Sequence, residues 1–183
     1  MKKLILFAAI LFVGVSVAKA QDVSKLTTDE AKLTLKFNRF QQITVDSHQK
    51  ANVLLEYKDV DDYKTGVNLD QGDHLTVNST GAFTVSVGAD DLISEDVKAK
   101  TIAASTILIT PTKGSKNADN SQFTANTIGT KEKPSTIITS SRGGMEKKYS
   151  VNYKAQGDYM DNHINGEGVM EYTTTVYYTI VAN

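Results

Sequence analysis

The chain has 183 residues, 20 Lys and Arg against 21 Asp and Glu, a formal net charge of −1, and neither cysteine nor tryptophan. Its basic residues are scattered among acids instead of gathered into the stripe that phosphate neutralisation needs, so nucleic acid is excluded as an expected partner. Without cysteine no disulfide staples the fold and no thiolate serves a metal, so packing alone must hold the structure together.

The chain opens with Lys2 and Lys3, an apolar run from Leu4 to Val17, and the small-residue close Ala18-Lys19-Ala20. That is the three-part pattern of a secretory signal peptide over residues 1–20, cleaved after Ala20. The apolar run is shorter than the roughly 20 residues that span a bilayer, so the reading is export, not embedding in the membrane. No cysteine follows to carry a lipid. The expected destination is the periplasm, the outer cell surface or the extracellular medium. Cleavage removes three lysines and no acid, which takes the charge to about −4. Residues 21–183 are read as one domain, and roughly 160 residues suffice to bury close to 70% of their unfolded surface.

Along that domain, alternation with period two recurs in short bursts separated by Gly, Asp, Asn and Ser. Leu33, Leu35 and Phe37 share one face, and Val53, Leu55 and Tyr57 another. Leu75 and Val77 alternate with His74, Thr76 and Asn78, which puts His74 on the solvated face; Phe83, Val85 and Val87 follow after a hairpin signal at Ser79-Thr80-Gly81. Residues 90–104 are read as a loop with at most one helical turn. Ile107-Leu108-Ile109 suits a strand covered on both faces, and 112–133 is a polar stretch expected to form a long loop or peripheral hairpin. Ile137 and Ile138 mark a short strand, and Tyr149, Val151 and Tyr153 the next. The longest alternation runs from Met170 through Tyr172, Thr174, Val176 and Tyr178 to Ile180, rich in β-branched and aromatic residues. The sum is about eight or nine strands, an all-β, two-sheet antiparallel sandwich of immunoglobulin-like or Greek-key type.

Enzymatic signatures are missing. His48, His74 and His163 lie far apart, and there is no His-Glu-x-x-His pair, no Gly-x-Ser-x-Gly elbow and no phosphate-cradling glycine loop. The reading is therefore non-catalytic, with no catalytic residue, resident metal or cofactor assigned. Two acidic groups are the candidates for calcium: Asp59, Asp61 and Asp62, and then Asp158, Asp161, Asn162, Asn165 and Glu167 around Gly166. Clustered loop carboxylates supply the hard oxygens calcium prefers, although neither group matches the EF-hand spacing and solvated turn residues are the simpler account. For a glycan, exposed aromatics would be the platform, and Tyr57, Tyr63, Tyr153, Tyr159, Tyr172, Tyr177 and Tyr178 are available, most of them expected in the core or on a sheet face. A protein partner has a third route, through strand exchange: residues 21–37 could be lent to the open edge of another copy, with the strand from Met170 to Val181 as the receiving edge. In the simpler arrangement both segments pair within their own chain.

The strands of 75–87 and 172–180 resemble the paired core strands of small secreted bacterial β-sandwich proteins, broadly the pilin-like, spore-coat-U-like and WxL-like surface families. The resemblance covers about half of the mature chain by strand pattern alone. It implies a place in surface coats, fimbriae or envelope adhesion. Two departures stand out: the disulfide common among chaperone-assembled pilins has no cysteine here, and the Trp-x-Leu motif has no tryptophan. No site residue carries over. The Ala-x-Ala close followed by Gln21-Asp22, with no sorting motif near Asn183, is more similar to exported proteins of Gram-negative bacteria.

The expectation is thus an exported envelope or extracellular structural or adhesion protein, with a glycan- or calcium-binding module as the alternative.

Overall fold

In a computed structural model, the described residues are 28–48, 53–96, 99–116, 118–157 and 168–183. Residues 1–20, read as an export signal, the start of the 21–37 segment read as a strand donor, His163 and the second acidic group lie outside them. The chain divides into Met1–Lys36 and Phe37–Asn183. Of the first unit, residues 28–36 form no helix or strand and are exposed throughout.

Among its described residues, the second unit carries nine strands and one short helix. They are β1 (Gln41–Val45), α1 (Val60–Thr65), β2 (Val67–Ser79), β3 (Phe83–Ala89), β4 (Ile107–Lys113), β5 (Ser121–Phe123), β6 (Asn126–Thr127), β7 (Ser135–Ser140), β8 (Gly144–Ala155) and β9 (Val176–Ala182), with a 3₁₀ turn at Ala104–Thr106 before β4. One sheet has the order β1-β2-β8-β4-β6 and the other β5-β7-β3-β9, all pairs antiparallel. The protein is therefore a two-sheet β-sandwich. From β2 onward every connection crosses from one sheet to the other, and only β1 and β2 are sequence neighbours within a sheet. Pairings such as Leu69 with Tyr153 consequently join distant parts of the chain.

Alternation explains the core. Phe83, Val85 and Val87 of β3, Leu75 and Val77 of β2, Ile109 of β4 and Tyr149, Val151 and Tyr153 of β8 are buried in a single cluster. Register shifts interrupt the pattern at three places, one of them between Val77 and Ser79. In β7 the register skips Ile137 between Ile138–Val85 and Thr136–Ser86, so that two consecutive isoleucines are both buried. In β2 the register shifts between Gln71 and Leu75, around Gly72 and Asp73, the latter at φ 52°. This shift turns His74 inward: it is 2% exposed, not solvated as plain alternation requires.

Other expectations are corrected by the backbone. Residues 33–37 are not a strand, and Leu33, Leu35 and Phe37 are 85%, 73% and 88% exposed. Residues 53–57 are also irregular, although Leu55 and Tyr57 pack on the core. Ser79-Thr80-Gly81 is no hairpin but a corner between sheets, fixed by the Ser79 hydroxyl donating to the Gly81 carbonyl at 2.8 Å. Leu108 is half-buried, because the neighbouring β6 is only two residues long. That brevity also accommodates Pro111, which lies past the end of β6, where β4 has β8 alone as a ladder neighbour. The final strand starts at Val176, with one isolated bridge, Ile93 to Thr173, before it. The polar 112–133 stretch supplies β5 and β6, which join different sheets instead of pairing together.

Truncation of Phe83 to Ala should remove about 3–5 kcal/mol of stability, since it empties the centre of the cluster. Lys154→Ala, on the outward face of β8, should stay within about 0.5 kcal/mol. Urea unfolding midpoints check both, and similar losses at the two positions would contradict this core.

Candidate functional site

The two sides of the sandwich end differently. On one, the strands are short and the chain is bonded to both sheets: Ile128 N–H donates to the Ile107 carbonyl at 3.0 Å, while Ala89 N–H donates to the Gly129 carbonyl at 2.9 Å. Short, covered edges of this kind resist further pairing.

On the other side lie β1 and β9, of five and seven residues, each with one ladder neighbour among the described strands. The start of one lies near the end of the other, since the Arg39 guanidinium donates to the Asn183 carbonyl at 2.9 Å. Their inward residues are incompletely covered. Ile43 and Val45 of β1 and Val176, Tyr178 and Ile180 of β9 are only half-buried, whereas the inward residues of the adjacent β3 are sealed. The Gln41 side-chain amide nitrogen, also on the inward side of β1, is buried and finds no acceptor among the described residues.

A polar relay ties β9 across the core. The Tyr178 hydroxyl hydrogen-bonds the Tyr153 hydroxyl of β8, which shares a 2.8 Å hydrogen bond with His74 Nε2 of β2. Both tyrosine rings meet the imidazole edge-on, with centroids 5.6 and 5.8 Å away. Burial holds the His74 imidazole below its usual range, an effect opposed weakly by Asp46, whose backbone N–H donates to the His74 carbonyl at 2.8 Å. Burial pushes the Tyr153 phenol up to about 12, its bond to Tyr178 opposing, and raises Tyr178 as well. All three are thus held neutral at neutral pH, which suits a hydrogen-bonded chain in a low dielectric. The sequence pattern missed this relay because the β2 bulge, not alternation, brings His74 in. The Gly72-Asp73 pair inside an otherwise regular strand was the available signal.

The first acidic group has a structural use. Asp59 caps α1, its Oδ1 accepting from the Asp61 and Asp62 amides at 2.9 and 3.0 Å, and Asp62 Oδ2 accepts from the Lys58 amide at 2.8 Å. These carboxylates face backbone donors. Among the described residues no group of three or more His, Asp or Glu is arranged to hold a metal ion, and no helix is long and apolar enough to cross a membrane. At the far end of α1, Gly66 adopts φ 81°, and a Cβ there would stand 2.2 Å from the Ala155 carbonyl oxygen. Only glycine brings the helix so close to the end of β8.

The candidate tyrosines fall in different places, Tyr172 half-buried in the irregular segment before β9. Tyr153 and Tyr178 serve the core relay, and Tyr57 packs against Tyr63 with ring centroids 5.2 Å apart. Tyr177 projects from the outer face of β9, and Tyr159 lies outside the described residues. No protein-family model matches the sequence, and no curated protein matches it either.

The relay fixes a pH dependence with a definite sign. His74 is harder to protonate folded than unfolded, so its stabilisation is present above about 6.5 and is lost as pH falls from there towards the depressed native value. The buried phenols act oppositely: their contribution is present below about 10 and is lost as pH rises towards 12. Urea midpoints across pH should therefore show a plateau between those limits. His74→Phe should flatten the acidic shoulder relative to the parent, and an unchanged shoulder would remove His74 as its cause.

Proposed function

We propose that this chain is an exported, non-catalytic structural or adhesion protein of the cell envelope or extracellular space, whose copies join through edge strands as fimbrial or surface-assembly subunits do. The observation that carries this reading is the contrast between the two sides of the sandwich. The β5–β6 side has short, covered strands, whereas β1 and β9 each have one ladder neighbour among the described strands and lie over half-covered apolar residues. Sandwiches that do not assemble blunt such edges.

The N-terminal segment supplies a matching donor. Leu33, Leu35 and Phe37 recur at every second residue, are highly exposed, and belong to no strand. A strand added beside β9 would gain main-chain hydrogen bonds, and its alternate side chains would cover the seam that Ile43, Val45, Val176 and Ile180 leave exposed. Because donor and acceptor are different surfaces, the contact is heterologous and propagates from copy to copy instead of closing as a dimer. The export signal read at residues 1–20 and the resemblance to secreted bacterial sandwich families support the same setting. The alternating, catalytic-motif-free sequence supports a binding role.

Size-exclusion chromatography and electron microscopy of the mature protein test the reading. Concentration-dependent oligomers or filaments are expected for the intact protein, and only monomer after deletion of residues 21–37. Leu33→Asp with Leu35→Asp should match the deletion, since a charge in the seam would be buried unpaired. A protein that stays monomeric at every concentration, whether or not the segment is present, would overturn the proposal.

A further inference from the structure

We propose that the outer face of β9 carries a binding site for a neutral glycan centred on Tyr177. Its basis is separate from the assembly edge. Main-chain pairing beside β9 lies in the plane of the sheet, whereas Tyr177 stands out of that plane on the face opposite Val176, Tyr178 and Ile180.

Tyr177 keeps 44% exposure on the outward face of β9, whose alternate residues pack on the core. It is also held in place. The Lys131 ammonium lies 4.6 Å from the ring centroid and is itself paired with the Asp90 carboxylate. A braced, amphipathic ring loses little freedom when a ligand stacks on it, which is why tyrosine serves well in recognition surfaces.

The ring also separates two clefts. One, of about 320 Å³, is lined by Asp91, Thr173 and Thr175 together with Asp90 and Tyr177. The other, of about 260 Å³, is lined by Lys131 and Tyr177. Each lies near the small end of the range for ligand sites, and both are open to solvent, so the arrangement suits a chain of small units running across the ring better than one enclosed molecule.

The polar groups select the chemistry. Asp91 Oδ1 accepts from the Ala104 amide at 3.1 Å, which fixes the carboxylate while leaving it further acceptor capacity. The hydroxyls of Thr173 and Thr175 can both donate and accept. An apolar ring beside a fixed carboxylate and paired hydroxyls complements a sugar, which presents a C–H face and a rim of hydroxyl groups. The first cleft carries both carboxylates, Asp90 and Asp91, and only Asp90 is paired, with Lys131 of the second cleft, so the first is negative and disfavours uronic or sulfated sugars by like-charge repulsion. A neutral oligosaccharide is the ligand class that remains.

Isothermal titration and NMR line-shift measurements on the mature protein, using cellohexaose, xylohexaose and mannohexaose as probes and a sulfated hexasaccharide as control, test the site. Binding of at least one neutral hexasaccharide is expected, with Tyr177→Val weakening it at least tenfold and Asp91→Asn severalfold, while Tyr177→Phe retains most of it. Phe keeps the ring at the same position, so the Val and Phe variants together separate loss of stacking from loss of the fold, which urea midpoints report directly. No neutral probe binding at concentrations up to about 10 mM, where even weak affinities register, would overturn the proposal. So would equal binding by Tyr177→Val, or preferential binding of the sulfated control.

Discussion

Burial of the inward faces of the two sheets in one shared cluster is the interaction on which the rest of this structure depends. Tyr149, Val151 and Tyr153 come from the first sheet and Phe83, Val85 and Val87 from the second, and all six belong to the sealed core. Because the chain changes sheet at every step from β2 to β9, no pair of consecutive strands beyond β1 and β2 can form a ladder of its own. Each ladder therefore waits on chain closure over a long interval, and the two layers must form nearly together. In a protein without disulfides, side-chain packing between the sheets is what rewards that closure.

The core also explains how much of the fold could be read from residues alone. Where alternation is uninterrupted, as in 83–87 and 149–153, the buried face is the one the pattern names. Where an extra residue enters, the pattern misassigns the face, because period two has no memory across a bulge. His74 is the case with consequences, since its imidazole ends up inside against the buried Tyr153 hydroxyl. Alternation also cannot distinguish a strand from an unpaired segment: 33–37 and 83–87 have the same texture, yet among the described residues only the second forms a ladder. Sheet membership is less legible still. The Ser79-Thr80-Gly81 turn has hairpin chemistry, and its use as a corner depends on Phe40, whose backbone N–H donates to Thr80 Oγ1 at 3.0 Å from far upstream. The acidic residues at 59–62 were legible as a turn, but which donors they meet follows from the helix they start.

A sandwich core filled only with hydrocarbon would tolerate small shifts of an edge strand with little penalty, and β9 has a single ladder neighbour to prevent them. The Tyr178–Tyr153–His74 relay supplies what packing lacks. Hydroxyl and imidazole groups buried together have few alternative partners, so a slip of β9 along β3 would strand them unpaired, at about 1–3 kcal/mol for each group. The relay therefore defines register more than it adds stability. That distinction matters at an edge. Inward residues of β9 contact the core only partly, and their hydrophobic contribution alone would not discriminate strongly between neighbouring registers.

Fixing the register of β9 has effects on both of its remaining surfaces. The edge of β9 away from β3, which has no ladder neighbour among the described strands, presents main-chain groups at set positions, and on the proposed reading an added strand would meet a template instead of a sliding surface. Its outer face holds Tyr177 at the height where Lys131 and Asp90 reach it. One residue of slip would exchange Tyr177 and Tyr178, placing the first in the core and the second in solvent, and would undo the relay, the edge and the ring platform at once. Alternation makes these neighbours interchangeable in texture; the Tyr153 hydroxyl, held in turn by the His74 that the bulge at Gly72 and Asp73 brings inward, makes the choice between them unequal.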